Sequence, residues 1–153
     1  MRKKVDKVLE YALVIIMSVM VVNVLWQVFS RYVLGTPGSF TDELARYLMI
    51  WIGLLGAAYA SGKKIHVAID IIPQKLNSVN QRRINKSINI TVALFAFVCF
   101  VIGGLRLVYI TYILDQFSPA LNVPLAGVYM ILPITGLLII YYKLEENFRS
   151  IHG

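Results

Sequence analysis

The stretch FTDELARYLMIWIGLLGAAYASGKKIHVAID, from Phe40 to Asp70, decides the fold. It opens on an acidic pair, Asp42 and Glu43, and Ser39 with Asp42 fits a helix-capping box. About twenty mostly apolar residues follow, which is enough for a helix to cross the hydrocarbon core of a bilayer. A polar segment then ends the stretch. It therefore predicts a transmembrane helix that is polar at both ends.

The rest of the chain has the same character. Of its 153 residues, 58% are hydrophobic and 15% are charged, whereas typical soluble domains have about 45–50% and about 25%. The apolar residues fall into four blocks, which predict transmembrane helices over about 8–29, 43–61, 88–113 and 126–142. The predicted fold is an all-α polytopic membrane protein that forms a single domain over residues 1–153.

The positive charges set the predicted orientation. Twelve of the fifteen Lys and Arg residues precede the first block, lie between the second and third, or follow the fourth. By the positive-inside rule, this distribution places both termini in the cytoplasm. Between helices two and three, Ile72, Leu76 and Val79 are spaced as on one helical face, which predicts a short amphipathic interfacial helix over about 72–84.

The net charge of +7 does not indicate nucleic-acid binding. Membrane orientation already accounts for the basic residues, whereas a nucleic-acid site would gather them on one soluble face. We therefore expect a lipid bilayer as the surrounding medium and no nucleic acid as a partner.

The residues that enzyme or redox chemistry needs are missing from the apolar blocks. A membrane haem protein needs histidines within its helices, but His66 and His152 both lie in polar segments. Cys99 is the only cysteine, which excludes a disulfide framework and a cysteine metal cluster. There is no glycine-rich phosphate loop and no metalloprotease motif. We expect a protein that is not an enzyme and holds no cofactor and no metal.

The acidic residues bear on whether the chain transports alone. Proton-coupled exporters use an ionisable group near the middle of the membrane. Here Glu10 lies at the predicted inner edge, and Asp42, Glu43 and Asp115 lie at the outer edge. The pattern favours a subunit of a larger machine. The alternative is a self-contained four-helix exporter that acts as a homo-oligomer.

Charged residues at the predicted outer face form a candidate contact surface, here called the outer-face cluster. Its members are Arg31, Asp42, Glu43, Arg46, Arg106 and Asp115. One hypothesis is that Arg106 or Arg31 pairs with Asp42 or Glu43 and so fixes the outer ends of helices one to three. The alternative is a set of independent charges that only set the depth of each helix in the membrane.

A second group of residues is expected at helix contacts. The Asn23 amide needs a hydrogen-bond partner within the membrane, glycines allow close approach, and a proline favours a kink. These residues are Asn23, Gly53, Gly56, Gly103, Gly104 and Pro133.

Several segments, in order, resemble the small permease subunit of tripartite ATP-independent periplasmic (TRAP) transporters, the DctQ-type component. They are VFSRYVLG at 28–35, FTDELARYLMIWIGLLGAAYA at 40–60, GKKIHVAID at 62–70 and SPALNVPLAGVYMILPITGLLI at 118–139. The family pattern falls on Phe29, Arg31, Tyr32, Asp42, Glu43, Trp51, Gly53, Gly56, His66, Asp70, Ser118, Pro119, Pro124, Tyr129 and Pro133. Phe40 and Thr41 depart from the pattern, because family members often carry a tryptophan before the acidic pair.

The resemblance implies a small subunit of a sodium-coupled secondary transporter in the bacterial inner membrane. Its implied partners are a large membrane transport subunit and a periplasmic substrate-binding protein, and the implied substrates are organic acids. The large subunit holds the sodium and substrate sites, and the small subunit acts as scaffold and docking partner. Trp51 joins the expected helix contacts. The inner-face motif, His66 and Asp70, is expected either to form local structure or to contact a partner.

Overall fold

The computed structural model describes residues 2–35, 38–63 and 78–152, with the backbone alone at 78–83 and 148–152. Its elements are α1 (Arg2–Val33), α2 (Ser39–Gly62), α3 (Ser78–Phe95), a π-helix (Ala96–Ile102), α4 (Gly103–Ile113), α5 (Leu125–Tyr129) and α6 (Ile131–His152). Four segments are long and apolar enough to span a membrane: Arg2–Val33, Ser39–Gly62, Ile84–Ile113 and Leu125–Asn147. They are called the first to fourth spans below. The prediction of an all-α protein with four spans is confirmed.

Some predictions fall on residues outside the described part. The inner-face motif, His66 and Asp70, lies there, as do residues 72–77 of the predicted amphipathic helix. From Ser78 onward, that segment forms the first turns of α3. The orientation of the chain in the membrane stays a prediction. The words outer and inner are used below as labels for the two ends of the spans. The outer end carries residues 31–35, residues 38–43 and the outer loop (residues 114–124), and the inner end carries Arg2, Lys63 and Lys143.

The fourth span lies at the centre of the packing. α1 packs against α2, α2 packs against α6, and α3, the π-helix and α4 all pack along α6. In the most apolar window of each span, 39% of the fourth is buried, against 17% or less of the other three. The first and third spans therefore flank a layer whose inner members are α2 and α6.

Tyr142 joins three helices at the inner end. It is 2% exposed, and its hydroxyl donates to Asp6 Oδ1 of α1 at 2.6 Å. The Arg2 guanidinium lies 5.8 Å from the centre of the Tyr142 ring and also donates to the Gly62 carbonyl. Gly62 lies so close to this ring that an added Cβ would come within 2.8 Å of it. The inner end of α2 therefore requires a residue without a side chain.

Two glycines allow the third and fourth spans to touch. A Cβ on Gly104 would lie 2.9 Å from Leu132 Cβ and 3.0 Å from Pro133 Cδ. From the other side, a Cβ on Gly136 would lie 2.8 Å from Phe100 Cβ. Small residues permit this close approach. Because the hydrophobic effect does not drive helices together in lipid, van der Waals contacts of this kind hold the two spans together.

Both of these spans depart from a regular α-helix near this contact. The third span contains the π-helix Ala96–Ile102, and the fourth is interrupted between α5 and α6. Pro133 explains the second break, because it has no N–H to donate to the carbonyl four residues earlier, and α5 ends at that residue, Tyr129. Pro133 itself lies in the first turn of α6, where proline is tolerated.

The neighbouring glycines 103 and 104 provide a matched test of the close approach. Gly104→Ala places a methyl group against Leu132 and Pro133, and we expect it to destabilise the protein by about 1–3 kcal/mol through overpacking. A Cβ on Gly103 meets only the Val98 carbonyl oxygen, at an ordinary 3.6 Å. Gly103→Ala should therefore be neutral or slightly stabilising. Unfolding in mixed detergent micelles measures both, and equal losses would contradict the close contact.

Candidate functional site

The outer end of α2 is the point where three parts of the chain meet. α2 begins at Ser39, with Gly38 at the N-cap and no side-chain cap. The predicted capping box is therefore wrong, because Ser39 is already helical. Thr41 contributes instead, since its hydroxyl donates to the Gly38 carbonyl at 2.8 Å.

One face of α2 bonds to the first span. The buried Asn23 amide donates to the Thr41 carbonyl at 2.8 Å. One helical turn further along α1, Gln27 Nε2 donates to Asp42 Oδ1. An amide within a membrane helix requires a partner, and α2 supplies one to both side chains.

The opposite face of α2 carries Glu43, whose carboxylate holds the outer loop. Oε2 accepts the backbone N–H of Ala120 at 2.8 Å and that of Leu121 at 3.3 Å. Oε1 accepts the Tyr47 hydroxyl at 2.8 Å. Hydrogen bonds to an ionised acceptor are stronger than neutral ones. Glu43 therefore holds the outer loop against α2.

A second contact continues along the same face. Glu43, Tyr47 and Trp51 are four residues apart, so they line one side of the helix. Trp51 Nε1 donates to the Val128 carbonyl of α5 at 3.1 Å. Together these side chains fix α5 and the outer loop to α2 over two helical turns.

The outer loop itself is a tight, hydrogen-bonded turn. Ser118 N–H donates to the Val123 carbonyl, and Asn122 N–H donates to the Ser118 carbonyl, both at 2.9 Å. The backbone is left-handed at Asp115 (φ 43°) and Asn122 (φ 52°), a conformation in which Asp and Asn are enriched. Ser118 is fully buried in this turn. The loop therefore presents a fixed pair of N–H groups to Glu43.

The structure separates the members of the outer-face cluster. Asp42 and Glu43 point to different sides of α2 and bond to different partners. Arg31, Arg46, Arg106 and Asp115 are exposed. Within the described residues, no ion pair joins an arginine of the cluster to one of its carboxylates. Backbone and hydroxyl donors replace the hypothesised arginine partner of Glu43, because the outer loop reaches that carboxylate first.

The residues expected at helix contacts divide into two groups. Asn23, Trp51, Gly104 and Pro133 lie against neighbouring helices. A Cβ on Gly53 or Gly56 would meet nothing within 4 Å, and one on Gly103 would meet only its own helix. A side chain at Gly53 or Gly56 would therefore meet no other helix in the described part of the chain.

Sequence reasoning missed four contributors to this site. Gln27, Tyr47, Thr41 and the carbonyl of Val128 each complete a hydrogen bond described above. The four-residue spacing of Glu43, Tyr47 and Trp51 was a visible signal. The backbone donors of the outer loop carried no such signal, because any residue except proline supplies an N–H.

Comparison with known proteins decides the family. Residues 20–153 match the family model described as tripartite ATP-independent periplasmic transporters, DctQ component. The chain belongs to this family. It is a DctQ-type TRAP small permease, and the resemblance stated from its motifs is confirmed. The family and the four apolar spans make it a multi-pass protein of the bacterial inner membrane.

Three relatives extend the comparison. A TRAP transporter small permease protein of Haemophilus influenzae is 28% identical over 88% of this chain and 82% of its own. The sialic acid TRAP transporter small permease protein SiaQ of Vibrio cholerae is 25% identical over 97% of this chain and 84% of its own. The sialic acid TRAP transporter permease protein SiaT of Haemophilus influenzae is 36% identical over 52% of this chain, but only 13% of its own.

Adjacent carboxylates allow a matched test of the Glu43 contacts. Glu43→Gln keeps the side chain's size but removes the charge that three donors share, and we expect a clear fall in melting temperature. Asp42→Asn removes an equal charge, but the Asp42 side chain has one hydrogen bond, from Gln27. This variant should therefore lower the melting temperature less. Thermal unfolding in detergent at constant pH measures both. A larger loss in Asp42→Asn would contradict the assigned role of Glu43.

Proposed function

We propose that this TRAP small permease acts with a large transport subunit and a periplasmic substrate-binding protein in sodium-coupled uptake of organic acids. In this proposal, it serves as scaffold and docking partner. The match to SiaT carries the proposal. A segment of 83 residues resembles part of a permease in which it makes up only 13% of the length. That relative thus contains, within a much longer permease, a segment similar to about half of this chain.

The exposed apolar surface supports a membrane partner. Large side chains of the first and third spans point away from the packed layer, among them Val14, Ile15, Val22, Leu94, Phe95, Val98 and Ile102. α2 and α6 hold the internal contacts, so the two flanking spans remain available for lipid and for a second membrane subunit. Packing between membrane helices needs such accessible apolar faces.

The distribution of charge supports transport by another chain. No Asp, Glu, Lys, Arg or His occurs in residues 12–30, 47–62, 87–105 or 125–142, which form the middle of the four spans. A proton-coupled carrier uses such groups within the membrane. The self-contained exporter therefore lacks support, and the coupling site is assigned to the large subunit.

The outer end supports docking of a soluble protein. Arg31, Arg46 and Arg106 are exposed there, beside an outer loop that Glu43 fixes in place. Exposed charges around a rigid surface steer an approaching protein and affect its association rate more than its final affinity. We assign the binding-protein contact to these three arginines together with the outer loop.

The names of two relatives guide the choice of substrate. SiaQ and SiaT are both named for sialic acid, which is an acidic sugar with a carboxylate. An acidic sugar is therefore the first substrate class proposed for this system, with C4-dicarboxylates as the second.

Reconstitution in proteoliposomes tests the proposal. The small permease, the large membrane protein encoded beside it and the cognate binding protein are combined, with radiolabelled sialic acid and succinate as probes. We expect uptake only when all three proteins and an inward sodium gradient are present. Uptake by the small permease alone would contradict the scaffold role. A failure of the two membrane chains to co-purify in mild detergent would contradict the partnership.

Charge variants in the same assay separate docking from transport. Arg106→Gln should raise the binding-protein concentration needed for half-maximal uptake roughly threefold to tenfold. The maximal rate should be unchanged. Lys86→Gln removes an exposed positive charge at the inner end and serves as the control, which should leave both values unchanged. Equal effects of the two variants would contradict docking at the outer end.

A further inference from the structure

A crevice at the inner end, between the third and fourth spans, has no role in the contacts described so far. Its volume is about 230 Å³. The lining residues are Asn89, Ile90, Ala93, Leu94, Lys143, Leu144 and Asn147. Apolar side chains form most of the wall, and one ammonium and two amides form the remainder. An apolar crevice with a few polar groups is typical of a ligand site.

Lys143 differs from the other described lysines of the inner end because it is buried. Its side chain is only 8% exposed, and its Nζ lies 3.4 Å from Glu146 Oε2. A charge-assisted hydrogen bond is normally about 2.7–2.9 Å long, so this ion pair is loose. Among the described residues, this pair engages one of the three donors on the ammonium group. A buried charge with spare donors is costly unless another acceptor is present.

Asn89 lies on the facing helix and adds a second polar group. It is 7% exposed, and it lines the crevice with a carboxamide that can both donate and accept hydrogen bonds. A ligand in the crevice supplies an acceptor for Asn89 and Lys143 together.

The depth of these residues fits the headgroup region of a lipid. Residues 87–105 and 125–142 contain no Asp, Glu, Lys, Arg or His, so Asn89 lies just inside the charge-free part of the third span and Lys143 directly follows that of the fourth. Both residues therefore lie near the inner edge of the apolar part of their spans. This is the depth at which polar headgroups meet acyl chains in the predicted inner leaflet.

The apolar wall continues towards the middle of the membrane. Ile90, Leu94 and Leu144 line the crevice and are also about half exposed or more, at 51%, 62% and 49%. Leu94 adjoins Phe95, whose side chain is 59% exposed. The polar pair therefore lies at one end of an open apolar strip, as the phosphate lies at one end of a lipid.

We propose that this crevice binds a glycerophospholipid. Lys143 and the Asn89 amide donate to the phosphate oxygens, and Ile90, Leu94 and Leu144 contact an acyl chain. Basic pockets between membrane helices on the cytoplasmic side commonly hold lipid phosphates. A free phosphate ion shares the polar contacts but makes no use of the apolar strip. The bound lipid fills the space between α3 and α6 and stabilises their contact at the inner end.

Native mass spectrometry of the full chain in mild detergent tests the site, with dioleoyl phosphatidylglycerol as the probe. Dioleoylglycerol has the same chains without the phosphate and is the control ligand. We expect wild-type protein to bind phosphatidylglycerol at least about tenfold more tightly than dioleoylglycerol, and Lys143→Gln to remove most of this difference. Asn89→Leu should weaken phosphatidylglycerol binding several-fold. Lys86→Gln, an exposed lysine of the third span, should leave binding within twofold of wild type.

Two results would overturn the proposal. One is equal binding of the two lipids by wild-type protein, and the other is unchanged phosphatidylglycerol binding by Lys143→Gln. Inorganic phosphate at millimolar concentration should not displace the lipid, and displacement would identify a site for a free anion instead. If Lys143→Gln does not fold, as judged by circular dichroism, Asn89→Leu decides. Weaker binding then supports the proposal, and unchanged binding overturns it.

Discussion

A single carboxylate at the outer end of α2 determines how the two halves of this small permease fit together. Glu43 accepts hydrogen bonds from the backbone of the outer loop, which connects the third and fourth spans. On its other face, α2 satisfies the amides of the first span. Within a membrane, polar groups must find partners inside the protein. At its outer end, α2 supplies partners on two sides, so it links the first span to the last two.

Away from the outer end of α2, small residues allow the spans to pack closely. Gly62 admits the ring of Tyr142, and Gly104 and Gly136 bring the third and fourth spans into contact. Ala58 and Ala96 are almost fully buried in the same layer. Close packing of this kind leaves the flanking spans as broad apolar surfaces. A chain built in this way suits a fixed subunit, because its own contacts occupy α2 and α6 and leave its outer faces for lipid and partners.

The sequence was sufficient for the architecture but not for the site. Membrane thickness fixes the length of a spanning helix, so four apolar blocks predicted four spans. The π-helix at Ala96–Ile102 was not predicted, because it lies in a continuous apolar run with no local signal. The pairing of Glu43 with an arginine was the expectation from charge alone. The carboxylate instead meets the N–H groups of Ala120 and Leu121, which only the tertiary arrangement places within reach.

Hydrogen–deuterium exchange of the outer loop tests this account most directly. In wild-type protein, the Ala120 and Leu121 amides donate to Glu43, and we expect a peptide that covers them to exchange slowly. Glu43→Ala removes their acceptor and should accelerate exchange there, while a peptide in α6 keeps its wild-type rate. Asp42→Ala should leave the loop protected. Unchanged loop protection in folded Glu43→Ala would contradict the claim that this carboxylate holds the third and fourth spans to α2.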